Sequence, residues 1–458
     1  MKTRAVLTAV LATALVATPA SAAPAQPRPD RPTPVDCPER LAGKATCYTG
    51  RDATGAYWTA AVPRRWNGAL VVHAHGGPDR SVEAGSTVAD LAEWAVMVEQ
   101  GYAWVASSYR RGGYGVRTAA ADTENVRKLF VATFGRPART YLHGQSYGGN
   151  VAAKAAEIYG RSYDGVLLTN GLLAGGSRGY DHRVDLRVVY QYYCRNLPRP
   201  DEPQYPLWQG LPADSEITPD DLHERLQECT GIDSAPAART PEQQRNLDDI
   251  LAVTRLPERT LETHLQYSAY LFQDIVFNRL GGRNPFGNEG VRYTGSHDDA
   301  ALNAGVARFA ADPTARRDLS YDSDLTGRVS VPVLTLHAIG DPSVFVEHEA
   351  AYRATLHAAG RGGNLVQTFT TESEHGELAT AEYAASINAL DAWVRTGRKP
   401  TPRAIANACG GTCFYAPDYR PAPFATRIRP RPGGTDWPAM TAAQERAWSH
   451  IPDVGIAP

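Results

Sequence analysis

Gly144-Gln145-Ser146-Tyr147-Gly148-Gly149 constrains this chain more than any other stretch, because of what flanks it. Residues 139–143, Arg-Thr-Tyr-Leu-His, are β-branched and aromatic and predict a short strand. Residues 150–159 are alanine-rich and predict a helix. A strand that becomes a helix within six residues turns sharply, and the serine at the turn is lifted clear of the sheet. The flanking glycines answer a steric need, since a Cβ there would meet the neighbouring strand or helix.

The same alternation runs along much of the chain. Residues 57–62, 69–73, 102–107 and 165–169 predict strands, and residues 88–99 and 123–133 predict helices between them. From about 172 to 326 the rhythm breaks into helix-like segments separated by Pro/Gly loops, such as 220–228, 240–253 and 261–277. It resumes with a strand at 333–337, a helix at 347–359, a strand at 365–370 and a helix at 378–396. The expected architecture is α/β: a mostly parallel central sheet flanked by helices, with an inserted mainly helical cap. The core then comprises residues 37–171 and 328–398, with the cap at 172–327 and a Pro/Arg-rich extension at 399–458 expected to wrap the surface.

The N-terminus reads as an address and not as part of the fold. Lys2 and Arg4 precede an uncharged, largely apolar run at residues 5–17, and Ala20-Ser21-Ala22 supplies small residues for cleavage. Residues 1–22 are therefore expected to be a secretory signal peptide and residues 23–36 a Pro-rich tether. A secreted protein with no membrane attachment after cleavage is the expectation. Six cysteines suit that compartment, and their clustering suggests the pairs Cys37–Cys47, Cys194–Cys229 and Cys409–Cys413. Zinc is the competing use of Cys409 and Cys413, yet no second Cys or His pair lies nearby. A net charge of −2 and a pI of about 6.6 supply no basic field for nucleic acid or anionic membrane.

A serine hydroxyl is a weak nucleophile until a base takes its proton, and the base needs an acid to orient it. Asp341, in His337-Ala-Ile-Gly-Asp341-Pro, follows the strand at 333–337. His375, in Glu372-Ser-Glu-His375-Gly376, follows the strand at 365–370. Both therefore belong on the sheet edge that carries Ser146. His348 and His357 fall within an expected helix, His450 in the tail, and Asp322 and Asp324 before the relevant strand. Ser146, Asp341 and His375 are the expected catalytic set. The oxyanion hole is expected from the backbone N–H of Tyr147 and of Gly76 or Gly77, in His75-Gly76-Gly77-Pro78 after the strand at 69–73.

With these residues in place, the core resembles the α/β-hydrolase fold. His75-Gly-Gly-Pro78, Ser108-Tyr-Arg-Arg-Gly-Gly-Tyr-Gly115, Gly144-Gln-Ser-Tyr-Gly-Gly149, Asp341-Pro-Ser-Val344 and His375-Gly376 resemble the catalytic domain of the prolyl-oligopeptidase-like group. Those motifs are shared by esterases and peptidases. The resemblance spans residues 57–171 and 328–396; it leaves no room for an N-terminal propeller, and the helical insertion is foreign to that group. It implies a serine hydrolase of carboxylic esters, with a serine exopeptidase as the alternative. The substrate is then a small molecule or a short peptide.

The cap leaves its role open. Tyr190, Tyr192, Tyr193, Tyr205, Trp208, Tyr267, Tyr270, Phe272 and Tyr293 either wall a pocket above Ser146 or fill the cap's own core. Glu224, Glu228, Glu258 and Glu262 either receive a substrate ammonium or lie on solvated helix faces. His182, His223, His264 and His297 have no metal-ligand spacing, and Arg111-Gly-Gly-Tyr-Gly115 lacks the Lys-Ser/Thr of a phosphate loop. No cofactor and no metal are expected, and the oligomeric state stays open.

Overall fold

The computed structural model describes residues 30–411 and 413–424. The expected signal peptide, most of the tether and the end of the tail lie outside them. Nine strands form one sheet: β1 Thr33–Val35, β2 Ala45–Arg51, β3 Tyr57–Pro63, β4 Ala69–Ala74, β5 Ala103–Ser107, β6 Arg139–Gln145, β7 Gly165–Thr169, β8 Val333–Ala338 and β9 Leu365–Thr370. Their order is β1-β2-β3-β5-β4-β6-β7-β8-β9. From β5 to β9 every pairing is parallel, and β1, β2 and β3 pair antiparallel at one end.

Every residue of β4, β5, β7 and β8 is buried, because helices cover both faces. In β4, Leu70, Val72 and Ala74 point into one core with helices Val116–Phe134 and Tyr147–Tyr159. Ala69 and Val71 point into the other, which holds residues of helices Ala95–Glu99 and Thr380–Thr396. The chain leaves β4 for β5 on one side and returns as β6 on the other. That reversal opens a crevice at the C-terminal ends of β4 and β6, where open sheets of this kind bind their ligands.

Two readings of the sequence need correction. Thr33–Val35, assigned to the tether, is an exposed edge strand, and the first long strand is β2 instead of β3. Only Cys47 of β2 is buried, so no apolar alternation announces it. Pro34 is tolerated because an edge position needs no second ladder hydrogen bond. The Cys37–Cys47 disulfide ties the two strands' junction.

The segment between β7 and β8 carries helices Asp181–Cys194, Pro219–Thr230 and Pro241–Thr254 around a core of their own. Two start at capping boxes, Thr218 with Asp221 and Thr240 with Gln243, each followed by proline in the first turn. Leu222, Leu226 and Cys229 line the inner face of the second, and Cys194–Cys229 links it to the first. The expected helix at 261–277 exists, but it passes through wider i→i+5 turns at Tyr267–Leu271 and Asp274–Arg279. Such turns displace side chains from the regular helical face. At the far edge, Cys409–Cys413 closes a turn after helix Pro402–Cys409. The chain then pairs with the end of β9 through Thr371 N–H to Phe414 O (2.9 Å) and Ala416 N–H to Phe369 O (2.7 Å).

Candidate active site

Ser146 sits between β6 and helix Tyr147–Tyr159 with φ +58° and ψ −125°, a conformation that L-residues adopt only when the surroundings impose it. The surroundings here are backbone. Ser146 N–H donates to Thr169 O (3.1 Å), and Ser146 O accepts from Gly149 N–H (3.0 Å) and Leu172 N–H (2.9 Å). A Cβ on Gly144 would overlap the Gly148 carbonyl, and one on Gly148 would overlap the Ala74 carbonyl and lie 2.7 Å from that of His75. This close approach puts the loop after β4 directly beside the start of the helix.

Tyr147 is the first residue of that helix, so its N–H has no intrahelical acceptor and is free to meet a ligand. Of the two glycines in the facing loop, Gly77 lines the cavity at Ser146; its φ of +104° suits glycine. That cavity, about 20 Å³, is walled by Gly77, Ser146, Tyr147 and His375 from the sheet edge. Tyr180, Arg183, Tyr267 and Leu271 close it from the inserted helices.

Asp341 and His375 are brought together from the loops after β8 and β9. His375 Nδ1 lies 2.7 Å from Asp341 Oδ2, and Asp341 is fully buried. The other carboxylate oxygen, Oδ1, accepts from the N–H groups of Ser343 (2.8 Å) and Val344 (2.9 Å), so the acid cannot rotate. The two loops touch closely: a Cβ on Gly340 would stand 2.8 Å from Ser373 Cα. Gly376 in turn is packed against the Gln145 side chain, which ties the histidine loop to the residue preceding the serine. Tyr383 Oη donates to the Gly376 carbonyl at 2.7 Å. The arrangement sets a serine and a carboxylate-held histidine around one cavity with backbone N–H groups beside them, the parts that nucleophilic serine chemistry uses.

Sequence reasoning missed how the loop after β4 is held. His75 Nδ1 lies 2.8 Å from Asp90 Oδ2 and Nε2 lies 2.7 Å from Asp79 Oδ2, so the ring bridges the loop to helix Ser86–Glu93. The Tyr109 hydroxyl donates to the His75 carbonyl (2.8 Å). Burial opposes charge on His75, but the hydrogen bonds it donates to both carboxylates outweigh it and push its pKa up to about 10. His75 is therefore an imidazolium with both N–H groups donating. Asp79, four residues on, was a visible sign; Asp90, on a separate helix, was not.

His75→Asn is expected to loosen Gly77 and lower kcat about 100-fold with KM little changed, the scale of losing one oxyanion donor. Its stability effect has a definite sign. The folded value lies above the ordinary value of about 6.5, so the clamp's contribution is complete below that pH and fades toward pH 10. The difference in Tm between wild type and His75→Asn should shrink over that interval; a constant difference would contradict the imidazolium assignment.

The cap residues divide. Tyr190 and Tyr293 are fully buried in the cap's own core. Tyr267 and Tyr270 line a cavity of about 520 Å³ that adjoins the one at Ser146 and shares Pro78, Tyr267 and Leu271 with it. Three of the four glutamates are taken by basic side chains of the chain: Glu228 by Arg199 (2.7 Å), Glu262 by His223 (3.0 Å) and Glu258 by Arg239. Glu224 is exposed. Among the described residues there is no group of acidic, histidine or cysteine side chains that could hold a metal ion.

No family model matches the chain, and no curated protein matches it either. Among solved structures it is similar to an esterase from Aspergillus oryzae at 14% identity and a TM-score of 0.45, over 82% of this chain and 88% of that one. Feruloyl esterase B from Aspergillus oryzae gives 14% identity and a TM-score of 0.42, over 82% and 89% of the two chains. Candida antarctica lipase A gives 12% identity and a TM-score of 0.42, over 82% and 83%.

Proposed function

We propose that this chain is a secreted serine hydrolase that cleaves carboxylic esters through a Ser146–His375–Asp341 triad and an acyl-enzyme. The observation that carries the reading is Ser146 at a positive-φ turn, sharing a cavity with a histidine whose Nδ1 is held by a buried, doubly anchored carboxylate. Ser146 Oγ attacks the carbonyl carbon while His375 Nε2 takes its proton, and Asp341 stabilises the imidazolium. The N–H groups of Tyr147 and Gly77 receive the oxyanion. Collapse expels the alcohol, which leaves with the proton from His375. Water then attacks the acyl-enzyme, giving its proton to His375, and the acid departs as Ser146 recovers its own.

Export is supported by the leader pattern at residues 1–22 and by three disulfides. Among the described residues no helix is long and apolar enough to cross a membrane. The occupied cap glutamates speak against capture of a peptide N-terminus there. The deciding assay offers the purified protein nitrophenyl esters of graded acyl length and aminoacyl nitroanilides. Ester turnover without anilide turnover is expected; anilide turnover of comparable kcat/KM would replace the esterase reading with an exopeptidase one.

A further inference from the structure

Arg183 is only 3% exposed, yet it stands in the wall of the cavity that holds Ser146 and His375. A guanidinium withdrawn from water to this depth is normally held by a carboxylate. Among the described residues no carboxylate lies within ion-pair distance of this one. The two acids of its own helix are engaged elsewhere: Asp181 with Arg316 at 3.1 Å, and Asp185 with the hydroxyl of Tyr293 at 2.8 Å.

Its orientation is nonetheless fixed. Nε donates to His264 Nδ1 at 3.4 Å, while His264 Nε2 donates to the Pro342 carbonyl at 2.9 Å, next to Asp341. The guanidinium carbon lies 4.8 Å from the ring centre of Tyr180 and 4.6 Å from that of Tyr267. Burial pulls its pKa down, and the groups that oppose this are the phenols of Tyr180, Tyr267 and Tyr114. Its histidine neighbours bring no negative charge: burial pushes His264 down to about 3 and holds His182 well below the usual range. Beyond His264, the Tyr180 hydroxyl is the protein group within hydrogen-bonding reach of the guanidinium, and a neutral phenol does not balance its charge. The side chain is thus held in place in the wall of the serine's cavity, with its charge unmatched by any carboxylate among the described residues.

We propose that Arg183 recognises a carboxylate of the substrate, placed within a few atoms of the ester bond that is cleaved. This rests on the hydrolase reading, because Ser146 fixes where the reacting carbonyl lies. Arg183 and Ser146 wall the same small cavity, so a carboxylate on Arg183 is close to the bond that Ser146 attacks. The bulk of the molecule enters the adjoining cavity of about 520 Å³. That space suits a partly aromatic group, and its cation, Arg80, lies over the Tyr270 ring with the guanidinium carbon 4.8 Å from the ring centre. Its wall carries Tyr267, Tyr270 and Phe277, while Asp79 is bound to His75 and Asp274 to the Tyr114 N–H at 2.6 Å.

Paired substrates test this. The acyl-side pair is the nitrophenyl hemiester of succinic acid against nitrophenyl pentanoate. The alcohol-side pair is O-acetyl mandelic acid against its methyl amide. One pair should show a kcat/KM preference of about 10- to 100-fold for the anion, the scale of a charge-assisted contact. Which pair does so identifies the side. Arg183→Lys should keep part of the preference and Arg183→Gln should abolish it while still hydrolysing the neutral ester. Equal kcat/KM within both pairs for the wild type, or equal losses on both members in Arg183→Gln, would reduce Arg183 to a packing element and overturn the proposal. Should no ester be turned over, the hydrolase reading fails. Calorimetric binding of succinate and of mandelate then decides the arginine separately: binding that Arg183→Gln loses supports it, and no binding to the wild type overturns it. Arg183→Lys serves in that comparison if the glutamine variant does not fold.

Discussion

Replacing Ser146 with alanine is expected to lower kcat on a nitrophenyl ester by on the order of 10⁶-fold, with little change in KM. The loss is chemical because nothing structural depends on the hydroxyl. The turn is held through backbone groups, Ser146 N–H to Thr169 O and Ser146 O to Gly149 and Leu172 N–H. Alanine keeps the Cβ and therefore the same unfavourable φ of +58°, so Tm should not move. Glycine adopts that conformation freely, and Ser146→Gly should be equally inactive but about 1 kcal/mol more stable. A hydroxyl that mattered only for packing would give the opposite pattern, with activity retained and stability lost.

Asp341→Asn is expected to cost about 10⁴-fold in kcat while the fold stays intact. The direction follows from the hydrogen bonds. Oδ1 accepts from Ser343 and Val344 N–H, and an asparagine keeps both only by leaving its oxygen there. Its NH₂ then faces His375 Nδ1 at the position where Oδ2 stands at 2.7 Å. A donor there forces the proton of the imidazole onto Nε2, on the side of Ser146, where it can no longer accept the serine proton. The NMR signature is a shift of the His375 tautomer between wild type and variant. Full activity in Asp341→Asn would mean that His375 is oriented by something else.

The parts of the fold and site legible in the sequence are those written in strand-end position. Buried parallel strands are mostly apolar, so residues 69–73, 165–169 and 333–337 stand out, and the loops just past such strands share one edge of the sheet. That is why Ser146, Asp341 and His375, and the pair Gly76 and Gly77, could be nominated as candidates from their places after strands and their motifs. What depends on long-range packing could not. β2 is polar on most of its length because it lies near the sheet's end. Tyr190 and Tyr267 look alike in sequence, but one is sealed in the cap core and the other is turned by a wide helical turn into the wall at Ser146. Arg183 stands between Asp181 and Asp185 in sequence. Only the fold shows that both acids are drawn away from it.

Ser146 acting as the nucleophile, activated by His375, is the step on which the proposed activity depends. The most direct measurement is the intact mass of the purified protein after reaction with a fluorophosphonate, followed by mapping of the modified peptide. One adduct per chain on the peptide containing Ser146, lost in Ser146→Ala and greatly slowed in His375→Ala, is the predicted result. An adduct on another residue, or no adduct on a protein that hydrolyses esters, would contradict it.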